Sequence, residues 1–236
     1  MMVNLFITNN LSQGTADWFN QRLQDGGPIY AETDLTRMIV EPWNAATSLL
    51  ILIPAFYWLY KIRGQYRNYK FLSYAVILVI LGGLGSALFH GLRTSLFFLL
   101  MDVIPSALLS ISVSVYLWLK IFKRWWYILL IIIPLLGLRF ILFEDLPEHM
   151  AINIGYFITG IMVILPLFIV LYKSHFQKYP LAIGAVAGFM VALIFRQLDA
   201  EVSLTGMGTH FLWHTFSAIG AYFVLGYLYF LRTNAI

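Results

Sequence analysis

Stretches of roughly twenty residues with scarcely a charge recur along the whole chain. Wound as α-helix at 1.5 Å per residue, such a stretch matches the ~30 Å hydrocarbon core of a bilayer. In lipid the backbone must satisfy its own polar groups, which leaves helices or closed barrels. A barrel would show short alternating segments, and these runs are continuous. Composition agrees: 61% of residues are hydrophobic and only 11% are charged, against about 25% charged in soluble domains. The expected fold is an all-α membrane protein, a seven transmembrane helix bundle.

The seven predicted spans are Trp43 to Ile62, Phe71 to His90, Ser95 to Leu119, Trp125 to Phe143, Ala151 to Tyr172, Pro180 to Gln197 and Thr209 to Leu231. Pro54, Pro105, Pro134 and Pro166 fall inside spans, where neighbouring helices can re-satisfy the freed carbonyl. Pro180 suits a first helical turn. The chain divides into a polar N-terminal segment, 1–42, expected to pack on the outer face, and a seven-helix domain, 43–236, with no internal repeat. The first residues lack a basic stretch before an apolar core and do not read as a cleaved signal peptide. With no cysteine, disulfides and thiolate metal sites are excluded.

Loop charge predicts orientation. One set of connections carries ten basic residues: Lys61, Arg63, Arg67, Lys70, Lys120, Lys123, Arg124, Lys173, Lys178 and Arg232. The other carries five: Arg22, Arg37, Arg93, Arg139 and Arg196. The N-terminus is therefore expected outside and the C-terminus in the cytoplasm. The net charge of +4 comes from short separate basic loops, which argues against nucleic-acid binding. Ten of the eleven acids fall at the outer face, and Asp102 sits in the outer half of the third span.

An ionisable group at the centre of a span costs roughly 2.5–3.5 kcal/mol on insertion scales, so such groups mark function. The second span ends "GSALFHG", placing Ser86 and His90 at i and i+4 on one helical face. The third contains "LLMDVIP" with Asp102, and the last begins "THFLWH", with His210 and His214 also four apart. With spans running in alternating directions, all of these groups share one outer depth band. Three neutral imidazoles with one position left open make a hydrolytic zinc site, in which the ion lowers the pKa of its bound water towards 7. The last helix lacks the Glu of H-E-x-x-H proteases, so the base must come from elsewhere, and Asp102 is the candidate. Ser86 could steady the water or a developing oxyanion.

Other readings stay open at this level. H-x-x-x-H alone is a weak signal, and a membrane His or Ser often serves only as an interhelical hydrogen bond. Haem ligation commonly sets its two histidines on opposite sides of the ring, whereas adjacent imidazoles suit a compact ion. A retinal protein would need a lysine in the last span, and there is none. His149 and His175 read as solvated loop residues. Trp125 and Trp126 read as interfacial anchors.

The set Ser86-x-x-x-His90, Asp102-x-x-Pro105 and His210-x-x-x-His214 on seven helices resembles the alkaline ceramidase family, within the superfamily that includes adiponectin receptors and Per1-like proteins. "HFLWHTFSAIGAYF" is similar to that family's last helix, and "DWFNQR…EPWNAATSLL" resembles its N-terminal block. The resemblance implies a zinc-dependent amidase that cleaves ceramide into sphingoid base and fatty acid. His90, His210 and His214 would bind zinc, Asp102 would activate water and Ser86 would assist at the oxyanion. A Per1-like phospholipid ester hydrolase, or a receptor-like protein with structural zinc, would use the same constellation. The membrane is expected to be a bacterial inner membrane or an endomembrane, with the site towards its non-cytoplasmic face.

Two departures stand out. The gap from His90 to Asp102 is one residue longer than in the animal enzymes, and a bulge could absorb it. Animal members also hold calcium on an acid-rich N-terminal loop. Here Asp17, Trp18, Asn20 and Glu41 could supply oxygens, but Arg22 stands where the family has Asn and cannot ligate a cation. Calcium wants six to eight oxygens, which speaks against it here. Alternatively Arg22 pairs with Asp17 or Glu41 and docks the segment without metal.

Overall fold

The computed structural model describes residues 23, 25–145, 148–199 and 207–233. Among them the chain is all helical. α1 (Pro42–Ser48) and α2 (Leu52–Lys61) form one rod, joined by a 3-10 turn at Leu49–Ile51. Then follow α3 (Lys70–Leu92), α4 (Leu96–Ile121), α5 (Leu129–Asp145), α6 (Glu148–Lys173), α7 (Tyr179–Gln197) and α8 (His210–Thr233). The last six are long and apolar enough to cross a membrane, so the protein is a multi-pass integral membrane protein.

Pro42 and Pro180 each open a helix, where the missing N–H is no loss. Pro54 lies inside the first span, as expected, and stands in the first turn of α2. A proline at 54 cannot donate to the carbonyl of Leu50, and the rod tightens to 3-10 geometry at that point. Pro105, Pro134 and Pro166 do lie inside helices. His149, expected in a loop, falls within α6, while His175 is exposed in the α6–α7 turn.

Six rods close into a ring in the order α1/α2, α3, α4, α6, α7, α8, and α5 packs outside on α6. Small residues allow the closest approaches. A Cβ on Gly188 would stand 2.8 Å from the backbone nitrogen of Gly220, so α7 and α8 touch backbone to backbone. At Gly85 a Cβ would come within 2.2 Å of the Met101 carbonyl oxygen, which pins α3 against α4 beside Asp102. Towards the opposite end, Trp58, Leu72, Val76, Leu117, Val170, Leu225 and Leu231 fill the ring.

Residues 25–41 run over one end of the ring and are tied down by buried acids. Glu32 accepts from the backbone N–H groups of Trp43 (2.6 Å) and Asn44 (2.9 Å), capping α1 from outside the helix. Asp199 accepts from Thr209 N (2.8 Å) and His210 N (2.7 Å) at the start of α8, and from Ala31 N (3.0 Å). Free N–H groups at a helix start favour such carboxylates. Burial pushes the pKa of both acids up, and these backbone donors pull against it. Gly208 must be glycine here: its φ is +70°, and a Cβ would lie 2.3 Å from the Asp199 carboxylate.

Candidate metal centre

α3 ends and α8 begins at the same end of the ring, which brings His90 beside His210 and His214. All three are buried, at 1–2% exposure. The rings sit 4.8–5.2 Å apart between centroids, and one ligand atom from each lies within 4.8 Å of the others. The spacing of 210 and 214 is the helical i, i+4 pairing read from the sequence.

Each ring also leaves one buried nitrogen without a hydrogen-bond partner: His90 Nε2, His210 Nδ1 and His214 Nε2. One such orphan costs about 1–3 kcal/mol, and three converge here. A shared cation removes all three penalties at once. Zinc with nitrogens at ~2.0–2.1 Å spaces its ligand atoms ~3.4 Å apart, so small ring rotations close the site. The donor set therefore fits a tri-histidine metal centre.

A carboxylate behind the cluster fixes one ring. Glu41, fully buried, meets His90 Nδ1 in a very short contact. With the proton held on Nδ1, the lone pair of Nε2 faces the cluster, the arrangement that orients metal-binding histidines. Glu41 also accepts from Thr33 Oγ1 (2.6 Å), Asn44 Nδ2 (3.3 Å) and, through a very short contact, Arg93 Nη1. Burial opposes its charge, but His90, Arg93 and Thr33 hold its pKa below the usual carboxylate value. The contacts of Glu41 are thus with protein donors. Asp17, Trp18 and Asn20 lie outside the described residues, as does Arg22.

Arg93 is the residue that closes the network. Its Nε and Nη2 reach Asp25 at 2.7 and 3.2 Å, and Nη2 also donates to the Pro28 carbonyl at 2.9 Å. It caps α3 in a left-handed conformation, φ 50°, which a non-glycine residue adopts only at a cost. Gly27 lets the loop pass directly over Phe89, since a Cβ there would lie 2.5 Å from that ring. Tyr30 from the same loop stacks on His210, with centroids 3.9 Å apart and planes at 27°. Burial pushes its hydroxyl pKa far up.

Ser86 lies one turn before His90, buried, with its Oγ 3.0 Å from the Ser48 hydroxyl. Asp102 follows Met101 at the Gly85 contact, where its carboxyl interacts electrostatically with Ser86 and His90. The structure thus brings His90, His210 and His214 into one cluster, with Ser86 one turn before His90 and Asp102 on the neighbouring helix. The Gly85 contact sets the distance between α3 and α4 at this point.

Across the centre, Arg196 of α7 stands 4.7 Å from the Tyr156 ring of α6 and 6.0 Å from Trp213 of α8. Its charge is felt by Tyr30, Asp102 and His210. Arg93, Arg196, Asp25, Glu32, Asp199 and Tyr30 were not singled out from sequence. The available signal was the scarcity of basic residues at this end: five arginines among ten acids invite ion pairs.

No protein-family model matches the chain, and no curated protein matches it either.

Proposed function

We propose that this protein is a zinc-dependent intramembrane amide hydrolase that cleaves ceramide-like N-acyl sphingoid lipids into sphingoid base and fatty acid. The observation that carries the reading is the convergence of three orphaned imidazole nitrogens beside Asp102 and Ser86, inside a helical membrane bundle.

Zinc bound by His90, His210 and His214 would supply Lewis acidity and an acidified water. The chain's own residues do the rest. Glu41 keeps His90 in the tautomer that offers Nε2. Asp102 takes a proton from the attacking water and returns it to the leaving amine as the C–N bond breaks. Ser86 donates to the carbonyl oxygen as negative charge builds there. The site lies near one end of the spans, where water can arrive while acyl chains stay in hydrocarbon. Of the neighbouring pairs in the ring, α6 and α7 touch least, which favours lipid entry between them.

The test is elemental analysis of the purified protein together with turnover of a lipid panel, with and without chelator. Stoichiometric zinc and chelator-sensitive release of sphingoid base support the proposal. Release of lyso-phospholipid instead, or turnover unaffected by complete loss of metal, would overturn it.

A further inference from the structure

At the end of the bundle remote from the histidines, a cavity of about 400 Å³ opens between the start of α3, the end of α4 and the end of α8. Arg67, Lys70 and Arg232 line it, together with Asn68, Tyr69 and Tyr116. Lys120 adds a fourth cation, with its Nζ 5.7 Å from the Tyr116 ring and donating to the Leu231 carbonyl at 3.2 Å. Arg232 Nε donates to the Asn68 carbonyl at 2.6 Å, which holds the guanidinium at the rim. The floor is apolar: Leu72 and Leu228 are buried beneath it, and Phe71 stacks flat on Tyr116 at 4.2 Å.

Among the described residues no acidic side chain pairs with any of the four cations. Residues 61–70, 120–128, 173–179 and 228–236 contain no Asp or Glu. Cations crowded around one hollow repel each other unless an anion enters. The first turn of α3 adds to the field, since it carries no acid and no side-chain cap.

We propose that this cavity binds the phosphate headgroup of an anionic phospholipid from the leaflet at that end of the bundle. Basic pockets between transmembrane helices suit such headgroups. The lipid is favoured over a soluble phosphate because the cations form the rim and the floor is hydrocarbon-like, matching a phosphate with its glycerol and upper acyl chain. The site lies at the other end of the spans from the metal centre and does not depend on the hydrolase reading.

Native mass spectrometry of the full-length protein from mixed micelles of phosphatidylglycerol and phosphatidylcholine tests this. One phosphatidylglycerol should be retained in preference to phosphatidylcholine. R67Q and K70Q remove charges whose side chains make no hydrogen bond among the described residues, so the fold should tolerate them. Each should weaken retention about fivefold, the contribution of one basic residue near an anionic surface. Equal retention of the two lipids, or R67Q/K70Q retaining phosphatidylglycerol like the parent, overturns the proposal. Inorganic phosphate displacing the lipid at equal concentration would also overturn it, by identifying a soluble anion as the ligand.

Discussion

The Glu41 carboxylate and the Nδ1 of His90 meet in a very short hydrogen bond, with both side chains sealed from solvent. Glu41 is the first residue before α1, and its own N–H donates to the His90 carbonyl at 3.1 Å. Two strands of chain 49 residues apart are thereby locked at one imidazole.

Replacing Glu41 with Gln keeps the size but removes the charge that fixes the His90 proton. Loss of such an outer partner typically costs 10–100-fold in metal affinity. E41Q should therefore bind zinc roughly 10–100-fold more weakly in a competition titration against a fluorescent chelator. Unchanged affinity would mean that Glu41 does not act through His90.

Asp102 should separate metal binding from chemistry. D102N should hold zinc at parent stoichiometry while turnover falls ~10²–10⁴-fold, the usual loss when a general base is removed. S86A should fall ~10²–10³-fold, as for loss of an oxyanion donor. Single-turnover assays alongside elemental analysis measure both. Parent-like turnover in D102N would exclude it as the base.

Gly85 sets the gap between α3 and α4. In G85A the new methyl meets the Met101 carbonyl, and overpacking of this kind costs about 1–3 kcal/mol. The variant should melt at lower temperature, and it should lose turnover more than zinc, because Ser86 and Asp102 move apart. A melting temperature equal to the parent's would show that the helices are free to shift.

Arg93 is the single cation between Asp25 and Glu41 in the described network. R93Q leaves buried carboxylates facing one another, and breaking a buried pair costs ~3–5 kcal/mol. Thermal unfolding in detergent should show a large destabilisation in R93Q, and R93K should recover only part of it, since lysine cannot reach both acids with a planar fork. Full stability of R93Q would mean that the loop is held by other contacts.

What could be read from sequence follows from what is local. The span boundaries rest on continuous runs of apolar residues, and the helices begin and end within a few residues of the expected positions. His210 with His214, and Ser86 with His90, are legible because four residues make roughly one helical turn. Asp102 could be placed at their depth because successive spans alternate in direction. Partners distant along the chain could not be read. Arg93 and Asp25 lie 68 residues apart, and Ala31 and Asp199 lie 168 apart. A lone sequence shows that such charges exist, but not whom they meet. The 3-10 break at Leu49–Ile51 was hidden for a different reason. Pro54 looked like the tolerated prolines of the other spans, and only the structure shows it in the first turn of a helix that restarts after the 3-10 segment.

The ring of Tyr30 lies flat on His210, on a loop anchored by Asp25, Glu32 and Asp199. No histidine of the cluster is more than 2% exposed. An ion entering or leaving on that side must wait for the tyrosine and its stretch of loop to lift. A metal held by the three histidines would then exchange only as fast as that loop lifts, so exchange should be slow even where equilibrium affinity is modest.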